Sequence, residues 1–229
     1  MAPHAIISYD DTPNDQDALV LGHQLADAGA RLTLAYVRHT TEIEHTREER
    51  EEHAAEALLD RGAQWLEGCL GVERKVIINA STAEGLRWLA QQDEADVIVF
   101  GSDYRTAAGH ISPGRSAQTL LEGGPAALAI APANHRERRD VVIRTVGLLA
   151  DPSDDAALET AQSLAGTYDA VLVRDDTRVD LLVVGSRPEA REGRVMITSQ
   201  AQNAIEEARS PVLVVARGVP LIFETLVTA

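Results

Sequence analysis

Residues 96–132, DVIVFGSDYRTAAGHISPGRSAQTLLEGGPAALAIAP, return 84 positions later, with Gly101 and Gly185 setting the offset, as DLLVVGSRPEAREGRVMITSQAQNAIEEARSPVLVVA. The two copies align without a gap and share Asp96/Asp180, Gly101/Gly185, Ser102/Ser186, Gly109/Gly193, Ala117/Ala201, Gln118/Gln202 and Glu122/Glu206. A chain with such a duplication is assembled from repeated supersecondary units. Each copy reads as a buried strand, a Gly-Ser turn, a polar loop, a helix opening on Ser, Thr and Gln, and a second buried strand. A strand that ends in such a turn and feeds a helix leaves backbone N–H groups unpaired beside the positive end of the helix dipole. That arrangement can hold phosphates.

The rest of the first half extends the pattern. Residues 5–9 (AIISY) form a short apolar run closed by Asp10, Asp11, Thr12 and Pro13, as a buried parallel strand would be. The helix that follows has Ala18, Leu21, Leu25 and Ala28 on one face, Asn14 or Asp15 as its N-cap, and Gly29 as its stop. Residues 32–37 read as a second strand, and 41–68 as a long helix whose charged front half is a solvated surface with i,i+4 pairs. A strand over 72–79 and a helix capped by Ser81, with Glu84 three residues on, lead into the duplicated stretch. Strands alternating with helices on both faces make an α/β, doubly wound, mainly parallel sheet, in which ligands sit beyond the carboxyl ends of the strands. Those ends carry Asp10, Val37 and Gly101, which should converge.

At this point a resemblance becomes specific. The opening IISYDDTPNDQDALVLGHQLADAGARLTLAYV is similar to the universal stress protein family, in which the first strand ends in Asp before a small-residue turn and a helix. The nucleotide-binding branch of that family carries, after its fourth strand, Gly, two residues, Gly, nine residues, Gly and then Ser or Thr. Here those positions are Gly101, Tyr104, Gly114 and Arg115, with Ser116 one place late. The resemblance implies the adenine-nucleotide α-hydrolase-like fold with strand order 3-2-1-4-5, and ATP or another adenine nucleotide as ligand. Asp10 and the backbone near Val37 would hold the adenosine end; Gly101, Gly114, Arg115 and Ser116 would hold the phosphates. Two positions depart from the pattern. Tyr104 brings a Cβ and a ring where glycine lets the backbone approach a triphosphate. Arg115 replaces a hydroxyl with a long cation that can pair with a phosphate or obstruct it.

The second half is shorter. A polar linker over 134–140 separates a first domain, 1–134, from a second, 141–217, which opens like the first, with Asp151 standing where Asp10 stood. Between Val173 and Leu181, however, the helix, strand and helix of the first half are missing. The expectation is an incomplete second sheet, partly uncovered, or residues 170–173 running antiparallel, because parallel neighbours ordinarily need a crossover of a dozen residues. Gly185, Pro188, Thr198 and Ser199 stand at the motif positions of this copy. Pro188 and Thr198 replace glycines, so no ligand is expected there and the half reads as an interaction module. The tail, 218–229, is unusually apolar for a terminus, and Leu221, Ile222, Phe223, Leu226 and Val227 are expected to dock on the shortened half or on another subunit.

Composition narrows the function. Thirty-six acidic against 21 basic residues give a net charge of −15, which leaves no basic stripe for nucleic acid. No apolar run approaches the roughly 18 residues that cross a bilayer, and no leader is visible, so neither a membrane nor export is expected and the setting should be cytoplasmic. The lone Cys69 has no partner, and the seven histidines show no metal-ligand spacing. No GxSxG elbow, Walker lysine or Cys-His pair is present, so no enzyme is expected. His110 with Ser112, neighbours in sequence, makes a weak catalytic pair, and a slow ATPase lacks a general base. The resemblance implies a stress-response or regulatory module. The alternative is a non-nucleotide scaffold of the same fold, associating through ALAIA and VLVVA as a homodimer or by pairing of the two repeats within one chain.

Overall fold

The computed structural model describes residues 2–39 and 45–224. The first half runs β1 (His4–Ser8), α1 (Pro13–Asp27), β2 (Arg31–Arg38), α2 (His45–Gln64), β3 (Glu73–Ile78), α3 (Thr82–Gln92), β4 (Val97–Gly101), α4 (Arg115–Leu121) and β5 (Ala127–Ala131). After a 3-10 helix, His135–Arg138, come β6 (Thr145–Leu149), α5 (Asp155–Tyr168), β7 (Val171–Arg174), β8 (Leu181–Val184), α6 (Ser199–Glu207) and β9 (Val212–Val214). No helix among the described residues is long and apolar enough to cross a membrane.

Both halves are mainly parallel, with strand order 3-2-1-4-5 in the first. They do not remain two sheets: β5 and β9 join them edge to edge into one nine-stranded sheet, order β3-β2-β1-β4-β5-β9-β8-β6-β7. The seam is antiparallel, pairing Leu128 with Val214, Ala129 with Leu213 and Ile130 with Val212. The repeats therefore pair within one chain, through the two runs that the sequence singled out. Alternation along these strands sends Ala129 and Leu213 to one face, under α1 and α5, and Leu128, Ile130, Val212 and Val214 to the other, under α3, α4 and α6. Each core spans the seam, so neither face is closed by one half alone.

The shortened crossover takes an extended route. β7 runs parallel to β6, not antiparallel, and β8 is parallel to β6 on its other side. Residues 175–180 must return across β6 to start β8. Gly147, in the middle of β6, makes room: a Cβ there would lie 2.8 Å from Val179 Cγ2 and 2.9 Å from the Asp176 carbonyl oxygen. The connection lies on the strand where a helix lies in the first half, and Val179 packs into the core beneath it. The duplicated aspartates are strand-start staples. Asp96 accepts from the backbone N–H of His4 at 2.8 Å, and Asp180 from those of Arg144 and Thr145, both at 3.0 Å.

The polar stretch expected as a linker is fastened to α1. Its backbone N–H groups at Asn134 and Arg136 donate to the buried Asp17 carboxylate at 2.9 and 2.8 Å, and the Arg136 guanidinium reaches the same group at 3.0 Å. His135 is buried, with Nε2 at 2.9 Å from Gln24 Oε1. Burial, aided by repulsion from Arg138, holds the imidazole down to about 4 against the ordinary 6.5, so it is neutral at pH 7. Between those values the unfolded chain takes up a proton that the folded chain refuses. Stability is intact above pH 6.5 and is lost as the pH falls toward 4, by about 3 kcal/mol in full. Denaturant titrations at pH 7 and 4.5 should show the wild type losing about 2–3 kcal/mol more than His135→Gln; equal losses would contradict a neutral buried imidazole.

The tail docks, as expected, on the shortened half. Leu221 and Phe223 are buried, the Leu221 N–H donates to Thr160 Oγ1 at 2.9 Å, and Ser163 and Thr167 bind the backbone of Phe223. Ile222 faces outward, 43% exposed, and Leu226 and Val227 lie outside the described residues. The tail also touches the first half: Gly29, at φ +100°, has no Cβ to collide with the Glu224 carbonyl.

Candidate functional site

The turn after β1 is built by the side chains of Tyr9, Asp11, Thr12, Asp15 and Arg61. Thr12, not Asn14 or Asp15, is the N-cap of α1, and Asp15 is its reciprocal partner three residues on. The Asp15 carboxylate also gathers the N–H of Asp10 at 3.0 Å and of Thr12 at 2.9 Å. Asp11 takes the left-handed conformation, φ 58°, which Asp tolerates better than most residues. Its carboxylate is fixed by the Tyr9 hydroxyl at 2.7 Å and the Arg61 Nε at 2.8 Å. Asp10 is thereby set at the carboxyl end of β1 with its side chain exposed, and among the described residues nothing donates to its carboxylate. Asp10 does not cap the turn. Partial desolvation raises its carboxyl above the ordinary aspartate value, with nearby His39 opposing the rise.

Val37 is buried in β2, and its side chain packs on Gly85 of α3, where an added Cβ would come within 2.9 Å of Cγ1. Only the backbone of Val37 is left for a ligand. His39, just beyond, is held by the Asn79 carbonyl at 3.0 Å and by Thr82 Oγ1 at 3.1 Å.

The loop from Gly101 to Ser116 is a duplicated device. Ser102 Oγ donates to the Ala131 carbonyl at 2.8 Å and accepts from the Ser112 N–H at 3.3 Å; Ser186 does the same to Val215 at 2.7 Å and Met196 at 3.2 Å. The Gly109 N–H meets the Ala133 carbonyl at 2.7 Å, and the Gly193 N–H meets that of Arg217 at 2.8 Å. The shared serines and glycines thus hold the loop against the strand in both halves.

The two motif glycines of the first half differ in kind. A Cβ on Gly101 would lie 1.9 Å from the Asn14 carbonyl oxygen, so glycine there lets α1 approach β4, and Asn14 Nδ2 seals the contact with the Ser102 carbonyl at 2.5 Å. A Cβ on Gly114, at φ −67°, meets nothing within 4 Å. Gly101→Ala should therefore cost about 3 kcal/mol of stability, at the upper end for overpacking. Gly114→Val should change stability by less than about 1 kcal/mol, since its backbone is ordinary and its surroundings are open. Urea midpoints of the two variants check this, and similar losses in both would contradict the distinction.

The two departures from the family pattern, Tyr104 and Arg115, are both exposed. Tyr104 is 71% exposed, and its ring turns outward under the Arg105 guanidinium, 4.9 Å from the ring centre. Arg115 opens α4 with an exposed side chain, and Ser116 is half-buried beside it with a hydroxyl that bonds to nothing among the described residues. Asp10, Gly114, Arg115 and Ser116 thus belong to the loops and termini beyond the carboxyl ends of β1 and β4, with Gly101 the last residue of β4 and the Val37 backbone at that end of β2.

The second half holds a crevice of about 250 Å3, lined by Asp151, Gly185, Arg187, Pro188, Thr198 and Gln200 among others. Thr198, at a glycine position, caps α6 by accepting from the Ala201 N–H at 3.1 Å, and Gly185 is filled from beneath by Asp154 Oδ2.

The sequence profile of the universal stress protein family matches residues 1–132 and 170–216. A universal stress protein from Archaeoglobus fulgidus DSM 4304 superposes with a TM-score of 0.70 at 16% identity, covering 94% of this chain and 98% of that one. A functionally unknown protein from Pseudomonas aeruginosa PAO1 gives 0.61 at 12% identity, over 94% and 93%. At these identities the likeness is one of fold. No curated protein matches the chain.

Proposed function

The chain belongs to the universal stress protein family, and from that premise we propose that it is a stress-response or regulatory module that binds ATP or another adenine nucleotide in the crevice of its first half. Asp10 and the Val37 backbone take the adenosine end; Gly114, Arg115 and Ser116 take the phosphates. Gly101 shapes the crevice by admitting α1, without touching the ligand. The observation that carries the reading is the open space at Gly114, where an added Cβ would meet nothing within 4 Å. Arg115 is exposed and has no side-chain partner among the described residues, so its guanidinium is available to pair with a phosphate. The module binds and signals, with no catalytic step of its own.

A second reading is a scaffold without nucleotide, favoured by Pro188, Thr198 and the shortened second half. Because β5 and β9 already pair with each other, a homodimer through those edges is closed to this chain, and a scaffold would have to use the outer strands β3 or β7. Thermal melts separate the two. At ATP a hundredfold above Kd, linkage adds about 2.7 kcal/mol and the melting temperature rises by several degrees; Gly114→Val should abolish the rise while melting alone like the wild type. No rise at millimolar ATP would remove the nucleotide reading.

A further inference from the structure

The seam between the halves holds a cleft of about 400 Å3. Its walls are the duplicated stretch seen twice: Ser112 with Met196, Pro113 with Ile197, Gln118 with Gln202, Leu121 with Ile205, and Glu122 with Glu206. Residues related by the internal repeat face one another, so the cleft lies on the axis that relates the halves. The symmetry is broken at one edge. On one side the Val195 N–H donates to the Gly124 carbonyl at 3.0 Å and Met196 bridges Glu122. The equivalent pairs, Ile111 with Ala208 and Ser112 with Glu206, make no such bond among the described residues. One wall is sealed and the other stands open.

The remaining lining residue is Arg187, which replaces Asp103 of the first copy. It is half-buried, its Nε is shut from solvent, and neither that nitrogen nor the rest of the guanidinium has a hydrogen-bonding or ionic partner among the described residues. In a chain with 36 acidic side chains, an unpaired guanidinium in a cavity wall is conspicuous. A buried donor left unmade is costly, and an anion would satisfy it.

We propose that this axial cleft binds a small organic monocarboxylate with an apolar body. The planar carboxylate takes the fork of Arg187, and the body lies on Leu121, Met196, Ile197 and Ile205. Glu122 and Glu206 oppose a doubly charged phosphate more than a singly charged carboxylate, so the cleft favours the latter. Arg187 also borders the second-half crevice, so the test must say which cavity is filled.

Calorimetric titration of the full chain with octanoate, acetate and inorganic phosphate provides it. Octanoate should bind at least tenfold more tightly than either of the others. Arg187→Gln should weaken it tenfold or more, with part of the affinity kept by Arg187→Lys. Gln118→Trp, an exposed position on the cleft wall, should block binding, whereas Gln200→Trp, in the second-half crevice, should not. The proposal is overturned if octanoate binds no better than acetate or phosphate, if Arg187→Gln leaves it unchanged, or if Gln200→Trp rather than Gln118→Trp removes it. Melts of each variant confirm that the fold is kept.

Discussion

Phe223→Ala should lower the unfolding free energy by about 3–5 kcal/mol, the usual cost of emptying a buried aromatic site, and the melting temperature by about 10 °C for a chain of this size. Position in the sequence argues the opposite, since residues this close to a terminus are commonly dispensable. Packing decides. Phe223 is 3% exposed, in one core with residues of α1 and α5, and its backbone is tied to α5 by the Ser163 and Thr167 hydroxyls at 2.8 and 3.2 Å. Leu221 enters the same core two residues earlier, and Gly29 lets the strap pass over the end of α1. The tail therefore covers apolar surface from both halves. Removing residues 219–229 should cost at least as much as the single substitution. Calorimetric melts of the two variants measure it, and a shift under about 2 °C in both would mean that the tail covers nothing of consequence.

Asp17→Ala should be comparably severe, about 3–5 kcal/mol, because it strands the partners of a buried charge. Asp17 has no exposed surface and accepts from the backbone N–H groups of Asn134 and Arg136 as well as from the Arg136 guanidinium. The loss has two parts, an uncompensated guanidinium and two unsatisfied backbone donors. Asp17→Asn keeps an acceptor and should lose less. Replacing both members, Asp17→Leu with Arg136→Met, should be less destabilising than the sum of the two single changes, because the stranded cation is gone. A double-mutant cycle from urea titrations gives the coupling; additivity would show that the ion pair carries no part of the loss.

The large plan could be read from the sequence because it rests on periodicity and repetition. The 84-residue offset announced two copies of one unit, and the tail declared itself by carrying Leu221 and Phe223 where termini are usually polar. Asp17, Gln24 and His135 are different. On α1, Asp17 and Gln24 look like solvent-facing residues, and NHRERRD looks like a tether. Only the fold shows that the two surfaces meet and bury their polar groups against each other. The cap of α1 was missed for a local reason: Thr12 and Asp15 form a capping box with Asp in the place where Glu is the familiar signal. Gly147 carried the clue to the β7–β8 crossing, but a glycine inside a strand says that something comes close, not what. At the candidate site, the sequence singled out the loops but could not divide their labour. Gly101 and Gly114 are both glycines; only the position of Asn14 makes the first a packing residue and leaves the second open.

Crystals grown with excess ATP decide whether the first half holds a nucleotide. Density is expected for one nucleotide per chain, in the first half, with adenine near the Val37 backbone and Asp10 and the phosphates beside Gly114, Arg115 and Ser116. An empty first-half crevice at saturating ATP, or nucleotide held only between β6, β8 and α6, would contradict the nucleotide reading.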